Sequence, residues 1–277
     1  MSIECDSKIP NIGLEPVAKW NIYKFKTRPG LILIKNPFTS LGQKYWIRKL
    51  LKTYTKYPNP NNLLPEQFTE NERYDFWTAI NEGADDKRKK NVKKAMRWST
   101  LGYHYNWTDK VYNEEFKNEF PVELGSLILT IAEVLGFNNY KSEAAIVNFY
   151  PLGSTLAPHT DHSEFFLKSP LFSISFGQSA IFLIGGQTRE EEPLALFLNS
   201  GDILIMSEES RLCYHSVPRV FKNPNECSWN ADNENLIQCT DLNQTELQEC
   251  KNKNTWLQYD EYLIDSRINV NVRQVNE

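Results

Sequence analysis

Arg267-Ile268-Asn269-Val270-Asn271-Val272-Arg273 places a polar side chain at every odd position and an aliphatic one at every even position. Side chains alternate between the two faces of an extended chain, so this stretch predicts a strand with one apolar face and one face carrying two guanidiniums and two amides. An ordinary edge strand with a wet face is the plainer alternative. Two arginines and an asparagine on one face nevertheless suit a dicarboxylate, because a guanidinium grips a carboxylate through two parallel hydrogen bonds.

Upstream of it, short apolar or alternating runs recur at 144–150, 171–176, 180–184, 194–198, 203–206 and 212–217, divided by Pro151-Leu152-Gly153, Gly185-Gly186 and Asn199-Ser200-Gly201-Asp202. About seven strands punctuated in this way predict a sandwich or barrel. The earlier part of the chain reads differently. Residues 1–30 are broken by Pro10, Pro16 and Pro29 and read as an irregular arm; Leu31-Ile32-Leu33-Ile34 reads as a strand. A helix is expected after Ser40, where Ser40-x-x-Gln43 has capping-box spacing, and lasts until Pro58 and Pro60. Further helices are expected over 71–80 and 121–135, and residues 58–72 read as loop. The polar stretch 222–255 reads as a long loop before a helix over 256–263. Helices first and strands after give an α+β chain: one domain with an appended N-terminal part, divided as 1–136 and 137–277.

The chain has 277 residues with 31 basic and 35 acidic side chains, a net charge of −4, so a nucleic acid partner needs a local basic patch rather than a global excess. No apolar run approaches the 18 or so residues of a membrane span. Met1-Ser2-Ile3-Glu4-Cys5-Asp6 carries two acids and no apolar core of a secretory signal, which leads us to expect an intracellular protein, nuclear and cytoplasmic, with the mitochondrion as the alternative. Five cysteines, Cys5, Cys213, Cys227, Cys239 and Cys250, form no C-x-x-C pair and read as reduced thiols; a zinc site at Cys227, Cys239 and Cys250 is the minor alternative.

Four histidines are present, at 104, 159, 162 and 215. His159 and Asp161 stand at i and i+2 on one face of an extended chain, and His215 follows in a later strand-like run. Two imidazoles and a carboxylate occupy one face of an octahedron and leave three positions open, the arrangement a non-haem Fe(II) oxygenase uses to hold co-substrate and dioxygen together. His162 points the other way from such a site. A surface H-x-D and an unrelated core histidine are the plainer alternative. Asn148 and Tyr150 share a strand face just ahead of the His159 turn and can offer neutral hydrogen bonds to the same ligand.

Lys87, Arg88, Lys89, Lys90, Lys93, Lys94 and Arg97 concentrate seven basic residues in eleven positions, enough for several phosphate contacts. A solvated helix face or a nuclear import signal would read alike. Trp98, Tyr103, Tyr105 and Trp107 follow, aromatics of the kind that stack an unpaired base.

These residues resemble the AlkB-type Fe(II)/2-oxoglutarate-dependent dioxygenases. The likeness runs through Asn148-Phe149-Tyr150, His159-Thr160-Asp161, Ser173 to Gly177, Glu209 to His215 and Arg267 to Gln274; Gly177 to Gly186, Asp202 to Met206, His215 to Arg219 and the Arg97–Trp107 region look most like the AlkB homologue 1 subgroup. It covers roughly residues 14–275, least over 222–255. The resemblance implies a double-stranded β-helix (jelly-roll) core with N-terminal helices packed on it, and a nucleotide-recognition lid before residue 137. It implies His159, Asp161 and His215 as iron ligands, and Asn148, Tyr150, Arg267, Asn269 and Arg273 as the 2-oxoglutarate site. The cofactors implied are Fe(II), 2-oxoglutarate and dioxygen. The substrate implied is a methylated base in DNA or tRNA: N6-methyladenine, N1-methyladenine or 5-methylcytosine. Where the bacterial founder has an aspartate that contacts the base, this chain has Ser163, so the founder's substrate range does not carry over directly. A monomer is expected. A protein (histone) oxygenase, an abasic-site lyase and a non-catalytic nucleic-acid-binding module are the competing readings; the basic run opposes the first and the intact ligand set opposes the last.

Overall fold

Residues 11–82, 85–109, 111–223, 228–230 and 239–277 are described by the structure, a computed structural model. In chain order they form strands β1 (Asn21–Lys24) and β2 (Leu31–Lys35), helices α1 (Ser40–Arg48), α2 (Glu70–Tyr74), α3 (Phe76–Asn81) and α4 (Asp86–Ala95), strand β3 (Trp98–Gly102) and helix α5 (Val122–Leu135). Strands β4 (Ala144–Pro151), β5 (Leu156–His159), β6 (Leu171–Gly177), β7 (Ser179–Ile184), β8 (Leu194–Leu198), β9 (Ile203–Met206) and β10 (His215–Phe221) follow, then helices α6 (Gln244–Lys251) and α7 (Lys253–Leu263) and strand β11 (Ser266–Arg273).

The strands form a seven-stranded antiparallel sheet, β1-β2-β9-β6-β11-β4-β3, and a four-stranded one, β5-β10-β7-β8. The alternating heptapeptide is thus no edge: β11 lies between β6 and β4, with Arg267 opposite Tyr150 and Gly177, and Asn269 opposite Asn148 and Ser175. Its even positions, Ile268, Val270 and Val272, join Val147, Phe149, Ile174 and Phe176 in a core completed by Leu50 and Leu51, Trp77 of α3, Leu127 and Ile131 of α5 and Tyr259 of α7. Burying each such side chain contributes roughly 1.5–3 kcal/mol, so this face fixes the register. The other face of the large sheet looks at the small one, where Leu31, Leu33, Leu204 and Met206 meet Phe182, Ile184 and Val217. The odd positions of β11 therefore lie between two sheets. At the β6 end, Gly177 has φ +79°, and a Cβ there would come within 2.5 Å of the Ser266 carbonyl oxygen, so only glycine lets β6 approach β11 this closely.

Several local expectations change. Thr39, not Ser40, caps α1: its Oγ1 accepts from the Gly42 N–H at 2.9 Å, while Gln43 turns inward to Asn36 and Ser200. The helix expected over 71–80 is two, broken at Asp75, whose side chain caps α3 by accepting from Thr78 N–H at 3.2 Å. The arm before residue 30 contains β1, and Trp98 begins strand β3; β2 and β3 enter the large sheet beside β9 and β4, strands from after residue 137, and β1 pairs with β2 at its edge. The stretch read as loop contains α6, clamped to the α1 region by Arg48–Glu246 (2.6 Å), Arg48–Glu249 (2.8 Å) and Lys49–Glu246 (2.8 Å). Cys5 and Cys227 lie outside the described residues; Cys239 and Cys250 are buried, and burial raises both thiols, Cys250 to about 12. Among the described residues no helix is long and apolar enough to cross a membrane.

Candidate metal and co-substrate site

His159 ends β5 and His215 begins β10, and antiparallel pairing sets them directly opposite each other with ring centroids 4.3 Å apart. Asp161 follows two residues past His159. One donor atom from each of the three lies within 4.8 Å of the others, the only such cluster of histidine, cysteine and acidic side chains among the described residues. Both rings are oriented by their own strands: Nδ1 of His159 hydrogen-bonds the Ala157 carbonyl oxygen at 2.9 Å, and Nδ1 of His215 that of Cys213 at 3.1 Å. Each Nδ1 therefore donates to the backbone and leaves Nε2 as the nitrogen free for a metal. Phe182 stacks on His215 at 5.7 Å. Burial lowers the His215 pKa despite the nearby Asp161, so its imidazole is neutral. Asp161 is the opposite case: burial alone would raise its carboxyl, but the Arg273 guanidinium at 3.0 Å holds it well below the usual carboxylate range. His162 is exposed, bonded to Thr160, and outside the cluster, as its phase predicts.

Arg267 is 2% exposed. Its Nη2 donates to Ser175 Oγ at 2.9 Å and its guanidinium lies over the Tyr150 ring at 5.4 Å, yet Nε and Nη1 have no partner. Burial draws its pKa down to about 10, which leaves it charged at neutral pH. A buried cation with two unused donors is costly unless an anion completes it. Tyr150, Ser173, Arg267 and Asn269 line a narrow cavity that reaches His159, Asp161 and His215. Asn269 donates to Ser173 Oγ at 2.9 Å and to the Ile174 carbonyl oxygen at 3.1 Å. Arg273, the other arginine on this face of β11, is engaged by Asp161 and by Glu164, each at 3.0 Å.

A cleft of about 420 Å³ adjoins the cluster, and Asn148, Asp161 and Arg273 form part of its lining. Its aromatic wall is Tyr105, Trp107 and Tyr112, with Tyr105 edge-on to Trp107 at 4.8 Å and tilted against Tyr112 at 5.3 Å. The Tyr105 hydroxyl bonds Ser163 Oγ at 3.1 Å, which draws Ser163 into the same wall. Trp98 backs this wall by packing on Trp107 at 5.3 Å. Tyr103 is not part of it: it is buried, Lys117 lies over its ring, and its hydroxyl is held by Glu114 and by Asn276 Nδ2 at 3.0 Å. Sequence reading missed Tyr112, whose hydroxyl accepts from Arg273 Nη1 at 3.4 Å, and also Glu164 and Arg211.

Residues 30–273 match the model of the 2OG-Fe(II) oxygenase superfamily. The chain belongs to that superfamily. It is 41% identical over 274 residues to the human protein named nucleic acid dioxygenase ALKBH1, covering 95% of this chain and 68% of the human one. It is 36% identical over 220 residues to the Schizosaccharomyces pombe protein named tRNA demethylase abh1, covering 74% and 73% of the two chains. A solved structure described as that of OsALKBH1 superimposes with a TM-score of 0.57 at 17% identity, covering 92% of this chain and all of that one, a likeness of fold.

As a 2OG-Fe(II) oxygenase the chain takes Fe(II) and 2-oxoglutarate, and the residues present fit both. The cluster offers two imidazole nitrogens and a carboxylate, and Arg267 offers two buried donor nitrogens, Nε and Nη1, that a ligand carboxylate satisfies.

The basic run lies on α4, except Arg97, which follows it, and its pairing with acids divides it in two. Arg88 is spent on Glu72, with Nε and Nη2 both at 2.6 Å from its oxygens. Lys93 pairs with Asp265 at 2.8 Å, and Lys89 lies 3.8 Å from Asp86. Lys87, Lys90 and Lys94 are exposed on one face of α4 and, with exposed Arg97, have no acidic partner among the described residues.

Proposed function

We propose that this oxygenase oxidises methyl groups on nucleic acid bases, with His159, Asp161 and His215 holding Fe(II) and Asn148, Tyr150, Arg267 and Asn269 receiving 2-oxoglutarate. The observation that carries this reading is the aromatic-walled cleft beside the His-Asp-His cluster, about 420 Å³ in volume. Tyr105, Trp107 and Tyr112 can stack a base and keep water from the reacting methyl group. α4 leads through Met96 and Arg97 into Trp98, which backs that wall, so Lys87, Lys90, Lys94 and Arg97 lie on the chain that approaches the cleft and suit phosphates. The names of the relatives, a nucleic acid dioxygenase and a tRNA demethylase, point the same way.

Bound Fe(II) with 2-oxoglutarate and dioxygen supplies the oxidation of a methyl C–H bond, the co-substrate leaving as succinate and carbon dioxide. An N-methyl group so hydroxylated is an unstable hemiaminal and departs as formaldehyde, whereas a C-methyl group stays as hydroxymethyl. The protein contributes orientation, a dry cleft and a charge match for the co-substrate. N6-methyladenine in DNA and N1-methyladenine or 5-methylcytosine in tRNA are the substrates we propose. The test is mass spectrometry of nucleosides from methylated DNA and tRNA incubated with the protein, Fe(II) and 2-oxoglutarate. We expect loss or oxidation of at least one of these marks; an unchanged panel with active 2-oxoglutarate turnover contradicts the proposal.

A further inference from the structure

Asp161 closes a ring of charges in which Arg273 comes from the end of β11 and the two carboxylates, Asp161 and Glu164, come from the irregular segment after β5. Arg273 Nη2 lies 3.0 Å from Asp161 Oδ1, and Arg273 Nε lies 3.0 Å from Glu164 Oε1, an ion pair without hydrogen-bond geometry. Glu164 Oε2 stands 3.0 Å from Arg211 Nη2, whose Nη1 donates back to the main-chain oxygen of Asp161 at 2.7 Å. Arg211 Nε is anchored on the Ser169 carbonyl oxygen at 3.1 Å. Two carboxylates balance two guanidiniums, so each of these groups tolerates burial only while the others are present.

Residues 160–163 belong to neither helix nor strand, so no backbone ladder fixes the direction of the Asp161 carboxylate. The ring does. Arg273 takes Oδ1 and leaves Oδ2, which lies 3.6 Å from His215 Nε2, as the oxygen facing the imidazoles. A carboxylate free to turn could give a metal both oxygens and use up a position that the co-substrate or dioxygen needs.

We propose that Glu164 and Arg211 are positioning residues that present Asp161 to the metal through a single oxygen, Oδ2. Glu164 holds Arg273 against Oδ1, and Arg211 holds the Asp161 main chain. The proposal rests on the assignment of His159, Asp161 and His215 as metal ligands. Neither residue needs to touch substrate, and Arg267, the group placed to meet the co-substrate, is not part of the ring.

The test is Mn(II) affinity of the full chain measured by calorimetry, with the Co(II) absorption spectrum as a report on coordination. Glu164→Gln should lower Mn(II) affinity at least fivefold and change the Co(II) spectrum in protein that is folded by circular dichroism. Glu164→Asp, which keeps the charge but is one methylene short of bridging both arginines, should fall between it and the unmodified protein. If Glu164→Gln does not fold, Arg211→Lys replaces it, because one ammonium cannot hold Ser169, Asp161 and Glu164 at once, and the same fivefold loss is expected. A change under fivefold with an unaltered Co(II) spectrum in the folded variant overturns the proposal and leaves the ring as a clamp of the fold. His215→Ala, measured alongside, must bind Mn(II) far more weakly than the unmodified chain; equal binding there overturns the ligand assignment and this proposal with it.

Discussion

His215 stands across the β5–β10 pairing from His159, ring centroids 4.3 Å apart, with each Nδ1 on a backbone carbonyl oxygen of its own chain segment. Strand register, not loop placement, therefore sets the distance between two of the three donors. His215→Ala should abolish turnover, because two remaining ligands hold Fe(II) too weakly to organise the site. His162→Ala should keep both metal binding and turnover. Titration with Mn(II) separates the two variants, and an unchanged affinity in His215→Ala counts against the cluster.

Arg267→Lys should weaken 2-oxoglutarate binding by about 2 kcal/mol, roughly thirtyfold, since a point charge cannot replace a buried fork. Calorimetry with Mn(II) in place of iron reads this directly. Equal affinity in the two proteins would mean that the unpartnered Nε and Nη1 atoms do not meet the co-substrate.

Splitting α4 into paired and unpaired cations gives a nucleic acid test. Changing Lys87, Lys90 and Lys94 to glutamine should weaken oligonucleotide binding regardless of sequence. The slope of log K against log salt should drop by roughly 0.7–0.9 per lost phosphate contact. 2-Oxoglutarate turnover without nucleic acid should not change. Arg88→Gln should instead lower stability, with little effect on the salt slope. An unaltered slope in the triple variant would favour a protein substrate, and peptide hydroxylation would then be the assay to run.

Arg88 also predicts a pH dependence. Its hydrogen bonds hold the Glu72 carboxyl at about 2, below the value of about 4.3 expected in the unfolded chain. A depressed carboxyl stabilises the fold above its unfolded pKa, and that contribution fades as pH falls from about 4.3 through about 2. With solvent screening, Glu72→Gln should cost about 1 kcal/mol at pH 7 and much less near pH 2. Urea unfolding of both proteins at the two pH values measures it; a constant difference would mean that the pair does not set the dependence.

The core strands were legible because their two faces differ. Residues 267–273 alternate without a break, and the aliphatic runs of β6, β7 and β9 are bounded by turn residues. β1 escaped notice because Asn21, Ile22, Tyr23 and Lys24 are all exposed, so no alternation marks them. β3 is short and buries four of its five residues, which hides its period. α6 buries only Leu247 and Cys250 and is held by charge pairs to Arg48 and Lys49, partners some 200 positions earlier. The metal cluster was visible from residue types and phase. The parts of Glu164 and Arg211 in the ring were not, because isolated charged residues carry no local pattern and meet Arg273 only in the folded chain.

The ratio of succinate formed to base methyl groups oxidised, measured with matched methylated and unmethylated oligonucleotides, tests the central claim most directly. Oxidation of the methyl group predicts near one-to-one coupling on the methylated strand and little succinate from the unmethylated one. Equal succinate from both strands, with the nucleosides unchanged, would contradict it.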